Sequence, residues 1–395
     1  MGAGVEALAL AALCSGESVW VQAGRERATA LNAARARFAC AEGDHCTTLS
    51  AFRAFERLAS TAATEAATVV AQSAAGLKRS RDSAGAGGAV LVVAPAPDGL
   101  LRDGGIADAD GAAGGGGERA SDDDDASEIS SSIDDVVDAA MRPWGVSRGA
   151  SARRRKSAGG RIGSGSTAPV RTCVDSLRSS ILTAAHAAAS AASAKTVDPS
   201  AALKAARRAA ADVMRHVHAR LSEWTWTNFL SLRSLRTAVA VRDQLAQLVS
   251  DPRSGTLALS SCGNDTAPLR RALAVAWRQR VATRVVSDAS GGARVEYRTA
   301  GGLVVSIHPS SILVLVHAHV SSRVAAAAAA VSAGGGNKSR AAELALTAGA
   351  ALAAYPDTVV YGELVRTSRD FMRSVTTVDA QWVRDADAKK VEGKC

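Results

Sequence analysis

The stretch VEYRTAGGLVVSIHPSS, residues 295–311, decides the fold of this chain. Val295, Tyr297 and Thr299 alternate with charged neighbours, so one face of an extended segment is suited to a core. Gly301-Gly302 supplies a turn, and Leu303-Val304-Val305-Ser306-Ile307 reads as the returning strand. Downstream, Ile312 to Val316 predicts another strand. After an Ala/Gly tract at 324–354, the same texture resumes at Val359-Val360-Tyr361. Short strands with glycine turns predict a small barrel.

Upstream the period is helical. Leu203, Ala206, Ala210, Val213, Val217 and Leu221 mark one helix. The segment Trp224 to Leu230 then leads into Leu232, Leu235, Val239 and Leu245, and Asp251-Pro252 marks a stop. A third helix carries Leu269, Leu273, Trp277 and Val281. The first 60 residues also read as helices, with Val5, Leu8, Ala12 and Leu13, then Leu31, Ala34 and Phe38. Ala41 to His45 reads as a loop whose Asp44 caps a helix bearing Leu49, Phe52 and Phe55. Residues 61–200 have a different texture: Gly114 to Gly117, the acidic run Asp122 to Asp125, and Arg153-Arg154-Arg155-Lys156 in a Ser/Gly background. With few large apolar residues to offset ordering entropy, this tract is expected to be a largely disordered insertion. Trp224, Trp226 and Trp382 are assigned to packing, and Tyr297 to the core, with a stacking platform as the alternative for Tyr297.

Of 395 residues, 47% are hydrophobic but only 4% aromatic, so the apolar content is mostly alanine and valine. The net charge of +9 is localised, because residues 201–300 hold 16 Lys and Arg against 7 Asp and Glu and the rest balances. Such an excess suits a polyanion, with a solvated charged face as the alternative. No run approaches the roughly 20 apolar residues of a membrane helix. Residues 5–14 lack the basic flank of a signal segment. Six scattered cysteines do not form a disulfide framework and favour a reducing compartment.

Motifs for catalysis are weak. Gly334-Gly335-Gly336-Asn337-Lys338-Ser339 approaches a phosphate-binding loop, but Asn337 breaks the signature. His216 and His218 lie roughly 200° apart on a helix and do not make a metal pair. His317 with His319, and Cys40 with His45 and Cys46, lack further ligands. No Gly-x-Ser-x-Gly elbow occurs, so catalysis by this chain is not expected.

Several ordered motifs resemble the C-terminal region of DEAH-box ATP-dependent RNA helicases. They are Tyr297-Arg298-Thr299, Ile307 to Ser311, Val360-Tyr361-Gly362-Glu363-Leu364-Val365-Arg366-Thr367-Ser368, Phe371-Met372-Arg373 and Asp379-Ala380-Gln381-Trp382. Leu8 to Val19, Ala36-Arg37-Phe38 with Glu42-Gly43-Asp44-His45, Trp224 to Asn228 and Val241 to Leu245 are similar to the helical domain that precedes the barrel in that family. The resemblance implies an α+β fold: a ratchet-like helical bundle, then an antiparallel oligonucleotide-binding (OB) barrel, with long disordered insertions. The expected boundaries are 1–60 and 201–290 for the two parts of the helical domain and 61–200 for the insertion. The barrel is expected at 291–383 with an Ala/Gly insertion at 317–355, followed by a charged, fraying tail at 384–395.

The resemblance further implies RNA contacts for Arg298, His308, Ser310, Ser311 and Arg373, with Arg233, Arg236, Arg270 and Arg271 along the helical side. Arg298 at a strand end can reach phosphate, and the turn after His308 offers neutral donors to sugar or phosphate. A turn whose imidazole bonds backbone is the alternative for His308, and solvated faces for the helical arginines. Nothing resembles the motor domains: Walker A and Asp-Glu-x-His motifs are lacking. The chain alone is expected to be inactive towards ATP, with no cofactor of its own, and ATP and Mg are expected only where a motor is supplied elsewhere. Expected partners are single-stranded RNA, a helicase motor region or an activator with glycine-rich motifs, and not a membrane. Arg153 to Lys156 reads as a nuclear import signal or phosphate tether, and a nuclear location is expected. A fragment, a truncated product or a diverged paralogue would each fit, for a splicing or a ribosome-assembly helicase. A non-enzymatic protein-interaction module is the alternative function.

Overall fold

Five strands close into a barrel: β1 (Val281–Val286), β2 (Val295–Thr299), β3 (Val304–Ile307), β4 (Thr358–Arg366) and β5 (Asp370–Thr377), in the order β1-β2-β3-β5-β4. The computed structural model describes residues 2–22, 24–82, 122–145, 172–194, 198–250, 259–286, 295–318, 355–367 and 369–392. β1 pairs antiparallel with β2 and β4, β2 with β3, and β4 with β5. β3 and β5 run parallel, Ser306 facing Phe371 and Ile307 facing Met372. The barrel is therefore mixed, and not the wholly antiparallel one expected.

Alternation in β2 behaves as its sequence predicts. Tyr297 is fully buried with Ala282, Val305, Val359, Met372 and Val375, while Arg298 between its inward neighbours is exposed. The Tyr297 hydroxyl, out of water, donates to the Pro356 carbonyl at 2.9 Å. Two readings change. Val281 opens β1 instead of closing a helix, so the barrel begins ahead of residue 291. Residues 312–318 are helical, not a strand. The run Ile312 to Val316 is apolar at every position and carries no period to separate the two states. Its first free N–H, that of Ile312, is instead taken by the Asp44 carboxylate at 2.7 Å.

The described residues form two compact units. The first spans 1–62, 141–177 and 216–395. It contains the barrel together with α1 (Gly4–Ser15), α2 (Ala28–Ala36), the start of α3 (Asp44–Asp82), α7 (Leu232–Val249), α8 (Ala267–Ala276) and α9 (Ala380–Glu392). In α7, Ser231 caps the first turn by accepting from the Ser234 N–H at 3.2 Å, and Leu235, Ala238, Val239 and Arg242 turn inward at helical spacing. Phe52, Phe55, Trp144, Leu221 and Leu235 are fully buried there. Buried Arg242 is matched by Glu56 and Asp243. Glu6, also buried, accepts from Arg53 (2.6 Å), the Ser261 hydroxyl (2.5 Å) and the Cys262 N–H (3.1 Å). Burial opposes its ionisation, yet these donors hold the carboxyl below its ordinary range. The tail expected to fray instead forms most of α9, which runs to Glu392.

The second unit, 63–140 and 178–215, takes in most of α4 (Asp122–Met141), much of α5 (Cys173–Ser193), the later part of α3 and the first half of α6 (Pro199–Thr227). Ala63, Ile133, Val137, Ile181, Ala184, Ala185, Ala206 and Val213 are almost wholly buried, and Arg178 pairs with Asp138. Residues 61–82, 122–141 and 173–193 of the expected insertion are thus helical, while 83–121 and 146–171 lie outside the described residues. Alanine is the strongest helix former and lets helices approach closely, which substitutes for large core residues. Arg153 to Lys156, Gly114 to Gly117, His319 and most of the 317–355 insertion lie outside the described residues.

Candidate nucleic-acid interface

The segment Glu42-Gly43-Asp44-His45 joins the start of α3 to the barrel. Thr377 N–H donates to the Glu42 carbonyl at 2.8 Å, and Gly43 bridges Thr376. Gly43 has φ +126°, and a Cβ there would press on the Val375 carbonyl and stand 2.7 Å from Thr376 Cα, so only glycine fits. Asp44 opens α3, but its carboxylate does not cap that helix as expected. It accepts from the Ser311 hydroxyl (2.8 Å), the Ile312 N–H (2.7 Å) and the Val375 N–H (2.8 Å). Burial pushes this carboxyl above its ordinary range, while the three donors and the Arg35 charge oppose the shift.

His45 is 3% exposed. Its Nδ1 lies 2.8 Å from the Thr376 hydroxyl, whose oxygen also accepts the His45 N–H at 3.2 Å. Its ring meets Trp277 edge-on at 4.8 Å. Burial pulls the imidazole down to about 4, so the ring is neutral at neutral pH.

Beside this joint lies a cavity of about 540 Å³, walled by α1, the Ser18 to Gln22 segment, α2, the start of α3 and the rim of the barrel. Two arginines in its wall lie over tryptophans, Arg35 at 5.0 Å from the Trp20 ring and Arg280 at 6.0 Å from the Trp277 ring. Arg35 also donates to the Ser310 carbonyl at 2.5 Å, and Arg280 to the Gly362 carbonyl. Arg373 completes the basic lining, with Glu363 3.6 Å away. Burial, aided by the neighbouring Arg373 charge, lowers the Arg35 guanidinium from its usual range, and Asp44 opposes this. Three guanidinium groups and two indole faces can hold an anionic, aromatic ligand by charge and stacking.

The predicted site residues separate into groups. Arg373 and Ser310 line the cavity. Ser311 borders it but is buried, and its hydroxyl is committed to Asp44, so it serves the joint and not an open RNA face. His308 is half-buried; its Nδ1 accepts from the Ser310 N–H at 3.1 Å and from the Ser310 hydroxyl at 2.7 Å. An acceptor at Nδ1 fixes the proton on Nε2, which is the donor left for a ligand. Arg298 and Arg233 are exposed away from the cavity wall, and Arg271 lies 3.7 Å from Asp385. Arg236 is packed over Trp144 at 5.2 Å and bonded to His218, while Arg270 packs over Trp382 at 5.5 Å and donates to Thr377. Both half-buried guanidinium groups are thus engaged in contacts within the fold. Trp226, assigned to the interior, is 78% exposed. Trp20, Arg35, Trp277 and Arg280 were missed as site residues. One usable signal was the Arg35-Ala36-Arg37-Phe38 run; Arg37 also anchors Asn228 of the tryptophan segment at 3.0 Å.

Residues 269–385 match the family model described as an oligonucleotide/oligosaccharide-binding (OB) fold. Over 180 residues the chain is 24% identical to the pre-mRNA-splicing factor ATP-dependent RNA helicase DEAH10 of Arabidopsis thaliana, a match covering 45% of this chain and 18% of that protein. The chain therefore corresponds to under a fifth of that relative's length. The closed five-stranded barrel agrees with the family match, and together these findings support a C-terminal helicase region with an OB fold.

Proposed function

Taking the chain as a C-terminal helicase region with an OB fold, we propose that it is an RNA-binding accessory region of a DEAH-box RNA helicase. In this reading it acts in pre-mRNA splicing or ribosome biogenesis and lies in the nucleus. The observation that carries it is the cavity beside the barrel, where Arg35 and Arg280 lie over Trp20 and Trp277 and Arg373 adds a third cation. Cations engage phosphate without reading sequence, and indole faces accept any base. This chain needs no cofactor of its own in this reading, ATP and Mg entering only if a motor region is supplied elsewhere, and an activator with glycine-rich motifs is a further candidate partner.

The test is titration of the full chain into fluorescent single-stranded RNA at several salt concentrations. The expected affinity falls steeply with salt, as counterion release requires. Absence of binding at low salt overturns the reading. A second reading, a protein-interaction module, is favoured by the exposed Trp226, because tryptophan is enriched among the residues that anchor protein interfaces. RNA affinity unchanged by salt, with Trp226→Ala abolishing capture of a helicase motor region, would favour this second reading.

A further inference from the structure

Among the described residues, six buried side-chain atoms have no hydrogen-bond partner, and three of them belong to residues lining the cavity of about 540 Å³: Arg35 Nε, His45 Nε2 and Arg373 Nε. The arginine atoms are donors at every accessible pH. For His45 the role of Nε2 follows the tautomer, because the Thr376 hydroxyl 2.8 Å from Nδ1 has both a proton and a second lone pair to offer it. The two arginine atoms are donors in either case. Buried donors without acceptors are costly to leave unmatched, and a ligand rich in acceptor oxygens satisfies them. The charge agrees, since Arg35, Arg280 and Arg373 outnumber Glu363 and Asp44, and Asp44 is already saturated by three donors. The volume of about 540 Å³ falls within the range of small-molecule pockets.

We propose that this cavity is a seat for one nucleotide, with its phosphate on Arg35 and Arg373 and its base against the Trp20 or Trp277 face. The inference deepens the RNA-binding reading and rests on it. Arg35 and Arg373 swing their guanidinium groups towards the phosphate. The nucleotide comes either from a strand or from solution, since both present the same phosphate and base.

The test is calorimetric titration of the full chain with uridine 5′-monophosphate, uridine and inorganic phosphate, each carried into the millimolar range, beside a fluorescent oligouridylate. The monophosphate is expected to bind at least tenfold more tightly than uridine or phosphate, and Arg35→Gln and Arg373→Gln each to weaken it about tenfold. Thermal melts accompany both variants. Arg373→Gln covers the case in which losing the bond from Arg35 to Ser310 unfolds the chain. Uridine binding as tightly as its monophosphate overturns the phosphate seat, and phosphate binding as tightly overturns the base contact. If the oligonucleotide binds but the monophosphate does not, the seat fails while the RNA reading stands. If only the monophosphate binds, the seat holds for free nucleotides and the RNA reading fails.

Discussion

Asp44 and Ser311 meet at 2.8 Å across 267 residues of sequence, the hydroxyl donating to a carboxylate that also takes the Ile312 and Val375 N–H groups. One side chain at the start of a helix thereby fixes a turn, a helix start and a strand of the barrel. Asp44→Ala leaves two backbone donors and one hydroxyl unmatched, and each buried donor left so costs about 1–3 kcal/mol. The expected result is a loss of several kcal/mol in urea unfolding of the full chain. Asp44→Asn keeps an acceptor oxygen and is expected to lose less.

Gly43 supports the same joint through absence of a side chain. With φ +126° and the Val375 carbonyl against the place of its missing Cβ, Gly43→Ala has to strain its own backbone and push strand β5 away. Positive-φ strain alone costs about 1–3 kcal/mol, and the clash adds to it. Urea midpoints are expected to fall accordingly, whereas Gly302→Ala, with open space around it at φ +83°, carries only the backbone cost.

The pH dependence of stability has a predictable sign at His45. Its folded value, about 4, lies below the ordinary 6.5, so the unfolded chain binds the proton more tightly between those limits. Stability is full above about pH 6.5 and is lost as pH falls towards 4, with an upper bound of about 3 kcal/mol from this group. His308 and His218 are lowered too, by burial first and then by neighbouring arginines, and act in the same direction. Unfolding at pH 7 and pH 5 is expected to show a smaller difference in His45→Gln than in the wild type.

How much of this was legible in sequence follows from where each signal resides. Inward Tyr297 and outward Arg298 follow from period-two alternation within β2, and Leu235 and Val239 from helical spacing within α7. Local patterns fail where the decisive partner is remote. The helical state of 312–318 depends on Asp44, and the cavity brings Trp20 and Arg35 together with Trp277, Arg280 and Arg373. The alanine-rich helices within 61–200 were not foreseen, because their burial depends on close packing among segments that are individually poor in large apolar residues.

Ion pairs of similar appearance are expected to differ widely in worth. Arg242 is buried between Glu56 and Asp243, so Arg242→Ala strands two carboxylates and is expected to cost about 3–5 kcal/mol. Arg271 and Asp385 face each other across 3.7 Å in water, and Arg271→Ala is expected to cost less than about 1 kcal/mol. Urea unfolding of the two variants measures the contrast.

The arginines first grouped along one RNA path divide by what they touch. Arg236 and Arg270 lie over Trp144 and Trp382 and hydrogen-bond His218 and Thr377, so alanine at either is expected to lower the melting temperature. Arg298 is exposed on the barrel, and Arg298→Ala is expected to leave the melting temperature unchanged. In the RNA-binding reading, it instead weakens binding of single-stranded RNA and lowers the slope of log affinity against log salt by roughly 0.7, the share of one phosphate contact. Melting curves and salt titrations of the three variants separate these roles. An unchanged salt slope in Arg298→Ala would remove that residue from the RNA interface.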